Sequence, residues 1–419
     1  MTDAGTAREL PRKTRDELAL QSLLSMGRTA PNPSVACVVI AENDRRERLL
    51  FSGGTERAGE RHAEIVALDA LDRARKNDPS LRPSRLYVTL EPCSTRGRTP
   101  PCSDRILRYP ELRNVTVYRR DIAQSKNSLE ILQSAGKRIR LPTPREDFDP
   151  GVFVDGFLHR IGGGGPRLHL KVALTDENVM GRSDSRLLIS GPQALGFGMI
   201  LRSRCDAVLV GPGTIAQDRP GLDLRSVSGW TTPEEIRVFQ KDYFSESLLA
   251  NSTAIARRIE EDALSYQPER IFLLGREFPG WTAFREKQNS LEKRTGKPAR
   301  FLCPASRLRF WRDKLGDKPG DIREVPESED PRFAARLRET LGEMGLNEVL
   351  VEGGARLFSR LQEALTPLDR IYALISRKTF PKTEEEIRLL APEFLQRGPD
   401  LIATTLGEDV LFIKQAQKT

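Results

Sequence analysis

Residues 87–102 read Tyr87-Val88-Thr89-Leu90-Glu91-Pro92-Cys93-Ser94-Thr95-Arg96-Gly97-Arg98-Thr99-Pro100-Pro101-Cys102. A run rich in β-branched and aromatic residues ends in Glu-Pro-Cys, and a polar loop then leads to a second cysteine. Arg85 to Leu90 is expected as a strand and Cys102 to Tyr109 as a short helix, so both thiols belong at the end of one strand. Upstream, His62-Ala63-Glu64 opens an apolar helix expected to run to Arg73. Of the three histidines in the chain, His62 alone stands in a His-x-Glu sequence.

One imidazole and two thiolates give a zinc ion three protein ligands and leave a fourth tetrahedral position for water, the arrangement of a catalytic rather than a structural site. His62, Cys93 and Cys102 are the expected ligands. Zinc lowers the pKa of its bound water to about 7. Glu64 is the expected proton shuttle, taking that proton and passing it to a ring nitrogen while an amino group leaves as ammonia. Helix starts at Cys93 and Cys102 would favour the thiolate form, and Pro92 suits a junction where no amide partner is needed. A surface histidine with two core cysteines is the competing reading. It does not account for His-x-Glu, Pro-Cys and a second cysteine arriving together in the order of the zinc deaminases. Cys37, Cys205 and Cys303 are expected in the core, and His159 and His169 are expected to be structural.

Working outward, Val35 to Ile40 is a continuous apolar run, hence a strand buried on both faces, with Leu49 to Ser52 pairing to it across a polar turn. Asn114 to Tyr118 is a further strand and Asp16 to Ser25 a helix, which together predict a three-layer α/β domain over residues 16–145 behind a polar tail, 1–15. Pro142, Pro144, Pro150 and the four glycines Gly162 to Gly165 mark 146–166 as a linker. Beyond it, strands at Arg167 to Ala173, Ala207 to Gly211, Arg270 to Leu274 and Glu348 to Val351, with a helix at Gln193 to Ser203, predict a second α/β domain over 167–419. Two charged, weakly apolar stretches, near 226–267 and 276–300, are expected as surface insertions.

A chain of 419 residues is long for one core, which agrees with two domains. Its 38% apolar content is ordinary for a soluble protein, and no apolar run is long enough for a membrane span. Residues Met1 to Arg15 lack the apolar segment of a secretory signal, so the expected address is cytoplasmic and no membrane partner is expected. Five cysteines are too few and scattered for a disulfide framework. The formal charge, 67 − 59 = +8, favours anionic partners, which a phosphorylated metabolite satisfies as well as nucleic acid does.

The stretch Tyr87 to Cys102, with eight residues between its cysteines, is similar to the deaminase half of the bifunctional riboflavin-biosynthesis deaminase/reductases, as is Pro31-Asn32-Pro33-Ser34-Val35-Ala36-Cys37. The resemblance implies a cytidine-deaminase-like fold, zinc at His62, Cys93 and Cys102, and a catalytic Glu64. It also implies a phosphorylated diaminopyrimidine ribosylamine as substrate, with Asn32 near the pyrimidine and a loop from Gly97 to Pro101 beside it. After Tyr118 the family has Asp-Pro-Asn-Pro where this chain has Asp121-Ile122-Ala123-Gln124.

The family's other half is a dihydrofolate-reductase-like α/β domain that uses NADPH to reduce the ribosyl side chain to ribityl. Leu170-Lys171-Val172-Ala173 resembles its first strand, and Val351-Glu352-Gly353-Gly354-Ala355 resembles its cofactor loop, where glycines let backbone amides approach phosphates. The resemblance implies substrate contacts at Arg202, Leu222, Arg225 and Glu352, with cofactor contacts at Ala173, Thr214, Asp218, Gly353 and Gly354. The chain departs from the pattern at Thr175-Asp176-Glu177-Asn178, in place of Ser-x-Asp-Gly, at Arg186-Leu187-Leu188-Ile189, in place of Ser-x-Trp-Ile, and at Arg276, in place of Asp. The sequence therefore leaves open whether this half reduces its substrate with NADPH or binds a phosphorylated ligand without turnover. It also leaves a homo-oligomer open. An editing deaminase acting on nucleic acid would need a basic or aromatic surface around the zinc, and the match at Tyr87 to Cys102 argues against it.

Overall fold

β1 (Ala36–Glu42) is covered on both faces, with every residue from Ala36 to Ala41 buried, and the first of two units in the chain is arranged around it. It pairs antiparallel with β2 (Arg48–Gly54) on one side and with β3 (Arg82–Val88) on the other. β4 (Asn114–Val117) and β5 (Arg138–Arg140) then add parallel to β3, giving the order β2-β1-β3-β4-β5 among the described residues. The structure, a computed structural model, describes residues 12–97, 100–124, 127–143, 149–183, 185, 187–225, 261, 266–316, 322–389 and 401–415. The chain divides into two compact units, the first holding residues 12–25 and 33–154 and the second residues 26–32 and the described chain from Asp155 onward.

Side chains alternate across a strand, and the first unit uses both faces of β1. Leu18 of helix α1 (Arg12–Ser25) packs with Ala36, Val38, Ile40 and Tyr87 on one face. Helix α2 (Ala63–Arg75) lies on the opposite face. Two consecutive glycines at the end of β2 permit both approaches. A Cβ on Gly53 would lie 2.6 Å from Val66 Cβ and 2.7 Å from the Ala63 carbonyl, while one on Gly54 would lie 2.8 Å from the Gln21 carbonyl. The result is a helix–sheet–helix layering.

The second unit is built on a nine-stranded sheet in the order β11-β10-β9-β8-β12-β6-β13-β16-β15, again among the described residues. β6 (Arg167–Thr175), β8 (Ala207–Val210), β9 (Glu269–Leu273), β10 (Ala299–Pro304), β11 (Ile322–Val325), β12 (Glu348–Glu352) and β13 (Arg370–Ser376) run parallel. β15 (Leu401–Leu406) and β16 (Asp409–Gln415) are antiparallel additions at one edge, and β14 (Glu386–Arg388) pairs antiparallel with β7 (Val179–Arg182) as a separate two-stranded ribbon. Central parallel strands are covered on both faces, and all four residues of β8 are buried. Among the described residues no helix is long and apolar enough to cross a membrane.

Two expectations about organisation need correction. The stretch 276–300 is not a surface insertion: it supplies the helix Trp281–Thr295 and the first residues of β10, which sits inside the sheet between β9 and β11. The helix buries Trp281, Phe284, Gln288 and Leu291, one narrow stripe at helical spacing. Its remaining positions are mostly charged and solvated, which is why the stretch reads as weakly apolar. The other suggested insertion, 226–267, lies almost entirely outside the described residues. The proposed linker, 146–166, is largely ordered, with a 3₁₀ turn at Pro150–Phe153 and a helix at Asp155–His159. Asp149 caps that turn through the Gly151 amide at 3.0 Å and pairs with Arg119, while Phe153 and Val154 are buried. Residues 144–148 are outside the described chain.

Two substitutions test these packings. Gly53→Ala should destabilise the first unit by about 1–3 kcal/mol through forced overpacking against α2, read as a lower urea midpoint. Phe284→Ala removes a fully buried ring packed on Phe272 and should cost about 3–5 kcal/mol. A loss within the range of ordinary surface substitutions would restore the insertion reading.

Candidate active site

His62 precedes α2 as its N-cap, with extended backbone angles of φ −76° and ψ 159°, and Glu64 occupies the first helical turn. The close approach at Gly53 seats this end of α2 on the sheet, and Glu64 is only 3% exposed there. Across from it, β3 and β4 end side by side. The ladder continues briefly through Tyr118 N–H to the Val88 carbonyl at 3.1 Å and Glu91 N–H to the Arg119 carbonyl at 2.8 Å. Thr89 extends the pairing to β1, its hydroxyl accepting from the Ala36 amide at 2.9 Å. The chain then leaves the sheet at Pro92-Cys93.

His62, Cys93 and Cys102 converge there. His62 Nδ1 lies 3.6 Å from Cys93 Sγ and 3.4 Å from Cys102 Sγ, and the three donor atoms all lie within 4.8 Å of one another. Tetrahedral zinc with ordinary Zn–S and Zn–N bonds puts neighbouring sulfur and nitrogen donors about 3.6 Å apart, so the donor set fits a zinc ion in spacing and chemistry.

Cys102 begins helix α3 (Cys102–Leu107), but Cys93 does not open a helix, contrary to the expectation. It lies in an irregular segment because Glu91, Pro92 and the loop after it carry no helical ladder. It meets the start of α3 all the same: Cys93 Sγ accepts the Cys102 amide at 3.3 Å and its carbonyl accepts the Ser103 amide at 3.1 Å.

The electrostatics follow from this crowding. The Cys102 thiol, with His62 and the Cys102 amide, holds Cys93 down at about 4, whereas its hydrogen bond to Cys93 and burial push Cys102 up. His62 is raised, chiefly by its hydrogen bond to Cys93. Burial, reinforced by the Cys93 charge, pushes Glu64 up to about 7, close to what a proton shuttle working near neutrality needs. Cys37 is buried on β1, its thiol raised by burial and then by Glu64, and Cys205 and Cys303 are also buried.

Sequence reasoning passed over Glu91. Its carboxylate is buried and accepts from the Ser128 hydroxyl at 2.8 Å, the Ser128 amide at 3.2 Å and the Asp121 amide at 3.4 Å. It thereby ties the strand end to the start of helix α4 (Ser128–Ser134). Asn32 belongs to segment 26–32 of the second unit, where its carbonyl accepts Asn347 Nδ2 at 2.8 Å. Arg98 and Thr99 of the Gly97–Pro101 loop lie outside the described residues.

In the second unit, most of the remaining expected site residues gather at the carboxyl ends of the parallel strands, where α/β sheets bind ligands. A Cβ on Gly354 would lie 3.6 Å from Thr214 Oγ1, and one on Gly353 would lie 3.7 Å from the Gly211 amide. Helix α7 (Pro212–Asp218), carrying Thr214 and an exposed Asp218, follows β8, and the helix Ala355–Gln362 follows the glycines. Ala173 is half-buried near the end of β6.

Arg202 and Glu352, both expected as substrate contacts, pair with each other. Arg202, on helix α6 (Pro192–Arg204), donates to the two oxygens of Glu352 at 2.8 and 2.6 Å and to the Asp223 carbonyl at 3.1 Å. A phosphate would have to compete with that carboxylate for the guanidinium. Arg225 is exposed and adds to the positive field that helps keep Glu352 ionised.

Leu222 is fully buried with φ 58°, a conformation that is an outlier for leucine and marks a loop held in place by its surroundings. Gln267 brackets the Leu224 backbone at 2.6 and 3.0 Å, and Gln288 donates to the Pro220 carbonyl at 3.0 Å. Lys171 was not singled out from sequence. It stands opposite Glu352 in the β6–β12 ladder, and burial lowers its pKa while Glu352 opposes the fall.

The departures from the family pattern resolve in different ways. Asn178 takes the glycine's place with φ 63°, in the left-handed region that asparagine tolerates better than most side chains. Thr175 Oγ1 accepts from the Glu177 and Val179 amides at 3.2 and 3.1 Å and so holds the turn. Arg186 is outside the described residues, and Arg276 is exposed.

Residues 13–118 match the family model described as the cytidine and deoxycytidylate deaminase zinc-binding region. The riboflavin biosynthesis protein RibD of Escherichia coli (strain K12) is 33% identical over 207 residues, covering 47% of this chain and 51% of that protein. RibD of Aquifex aeolicus (strain VF5) is 33% identical over 215 residues, covering 51% and 56%. The chain thus spans about half the length of the curated relatives it matches. A solved structure of Acinetobacter baumannii RibD superposes with a TM-score of 0.67 at 22% identity, covering 97% of this chain and 98% of that one. A diaminohydroxyphosphoribosylaminopyrimidine deaminase/5-amino-6-(5-phosphoribosylamino)uracil reductase from Thermotoga maritima gives 0.64 at 22% identity, covering 96% and 97%. These two likenesses describe the fold. The chain is therefore similar in sequence to RibD riboflavin-biosynthesis proteins over about half its length and shares the fold of solved RibD structures over nearly all of it, and its residues 13–118 match a cytidine and deoxycytidylate deaminase zinc-binding region.

Proposed function

We propose that this chain is a zinc-dependent deaminase of a phosphorylated diaminopyrimidine ribosylamine in riboflavin biosynthesis, whose second unit reduces the ribosyl side chain to ribityl with NADPH. The observation that carries the reading is the convergence of His62, Cys93 and Cys102 within 4.8 Å beside a buried Glu64. His62 Nδ1 and the two thiolates would hold the ion. When bound, zinc supplies a Lewis acid with one position left for water, which it acidifies.

Glu64 does the proton work. Burial keeps its carboxyl close to balance near neutral pH, so it can take one proton of the attacking water and pass it to the ring nitrogen, then take the second from the hydroxyl now on the carbon and give it to the amine, which leaves as ammonia while the carbonyl forms. Burial around it limits competing water. Asn32 and the Gly97–Pro101 loop are the proposed pyrimidine contacts.

For the second unit, Gly353, Gly354 and Thr214 are the proposed phosphate-side contacts of NADPH, with Ala173 and Asp218 also on the cofactor. Leu222, Arg225, Glu352 and Arg202 are proposed on the substrate side. The Arg202–Glu352 pair would act as one preorganised element there, its guanidinium fixed by the carboxylate.

Glu64→Gln should keep zinc and lower ammonia release at least about a hundredfold, whereas Cys102→Ser should lose zinc. Metal analysis alongside ammonia detection reads both, and undiminished ammonia release from Glu64→Gln would remove the mechanism. Gly354→Val should leave ammonia release intact and abolish NADPH oxidation, with product mass showing deamination without the two-hydrogen gain. NADPH oxidation by the wild type that persists in Gly354→Val would displace the cofactor from this edge.

A further inference from the structure

Cys93 is the one of the two cysteine ligands that no regular element holds, since it follows Pro92 in an irregular segment. Its position is nevertheless constrained from outside. The side-chain amide of Gln124, in the turn after β4, donates from Nε2 to the Pro92 carbonyl at 3.2 Å and to the Glu91 carbonyl at 3.3 Å. Its Oε1 accepts from the Ser94 amide at 3.0 Å and the Ser94 hydroxyl at 3.0 Å. Nε2 also donates to Asp121 at 3.3 Å, within its own turn.

The Pro92 carbonyl belongs to the peptide plane before the Cys93 Cα, and the Ser94 N–H belongs to the plane after it. Two planar peptide groups joined at one Cα have only φ and ψ between them, so a group that bonds to both restricts both angles. Those angles set the direction of the Cα–Cβ bond, and with it where the Sγ can reach. Gln124 does this with one carboxamide, whose donor and acceptor ends face opposite ways and match a carbonyl on one side and an N–H on the other. Neither an acid nor an apolar residue offers both ends.

We propose that Gln124 is a positioning residue for the metal centre: it fixes the backbone on both sides of Cys93 and so presets the thiolate for zinc. The inference rests on the zinc-deaminase reading for its consequence and on the hydrogen bonds alone for the clamp. Partners outside the ligand shell commonly contribute 10–100-fold to metal affinity. Without the clamp, Cys93 must be ordered when the metal binds, and zinc escapes more readily.

The test uses the full chain and two variants. Gln124→Met keeps side-chain length and removes both polar ends; Gln124→Glu keeps an acceptor for Ser94 and sets negative oxygen against the two carbonyls. Zinc transfer to a chromogenic chelator should be about 10–100-fold faster in both variants, with unfolding midpoints of the chelator-treated proteins matching wild type. The Ser94 amide should lose its protection from hydrogen exchange in Gln124→Met, which leaves it no acceptor. Ammonia release should fall in step with zinc occupancy and return when zinc is added. Zinc retained at the wild-type rate with Ser94 still protected would overturn the proposal, as would turnover lost while zinc stays bound. Wild-type protein that takes up no zinc would instead defeat the deaminase reading, and Ser94 exchange in Gln124→Met would still decide the clamp.

Discussion

The first unit depends on how closely α2 can approach β2. At Gly53 there is no room for a methyl group between the strand and the Ala63 carbonyl, and this contact brings the first turn of α2 down onto the sheet. His62 and Glu64 are carried with it, one as the residue before the helix and the other within its first turn. Burying a carboxylate so completely raises the free energy of its charged form, which is why Glu64 sits near 7 rather than with ordinary surface acids. A larger residue at position 53 would move the helix outward and let water reach the carboxyl, changing both the geometry and the proton affinity. Packing and chemistry are thus coupled through one glycine.

The second unit meets a different constraint, that of holding irregular loops at the end of a regular sheet. Backbone groups beyond the last ladder pair must find partners elsewhere, and here long polar side chains supply them. Gln267 completes the Leu224 backbone as a neighbouring strand would, Gln288 reaches Pro220, Arg294 takes the Asp223 carboxylate and Arg202 its carbonyl. Leu222 can be kept at positive φ because its neighbours on either side are anchored. Gln288 and Arg294 both come from the helix Trp281–Thr295, so a segment whose composition suggests a surface addition supports the loop on which the expected substrate contacts stand.

What could be read from sequence follows from how many residue types each role tolerates. A thiolate-and-imidazole zinc site admits few side chains, so His62, Cys93 and Cys102 stood out, and the alternation of strand and helix around them marked the layers. The apolar run at Val35 to Ile40 announced a buried strand for the same reason. The helix at 281–295 was hidden because only one stripe of it is buried, and four residues among fifteen leave a charged average. Gln124 and Glu91 had no periodicity to betray them, since side chain–backbone bonds across thirty-odd positions leave no local pattern. Departures from a family pattern were legible as differences but not in their effect: Asn178 preserves the left-handed turn a glycine would have made, whereas pairing of Arg202 with Glu352 required knowing that α6 and β12 lie side by side.

Both units gather their candidate site residues where parallel strands stop, and the reason is common to them. A ladder fixes its backbone groups so fully that a strand interior offers a ligand nothing but side chains, while a free loop offers groups with no fixed direction. The first residues past a strand end lie between these limits, close enough to inherit position and far enough to have unspent N–H and C=O groups. In the first unit Gln124 takes up those groups on either side of Cys93, and Glu91 takes up amides beyond the end of β4, so that Cys93 presents its thiol from a fixed backbone. In the second, Gly353 and Gly354 follow the strand at the start of a helix and add no side chains of their own there. The same boundary condition therefore yields a candidate metal ligand in one case and a candidate anion contact in the other. Which results depends on whether the residue just past the strand contributes a side chain or leaves its backbone open.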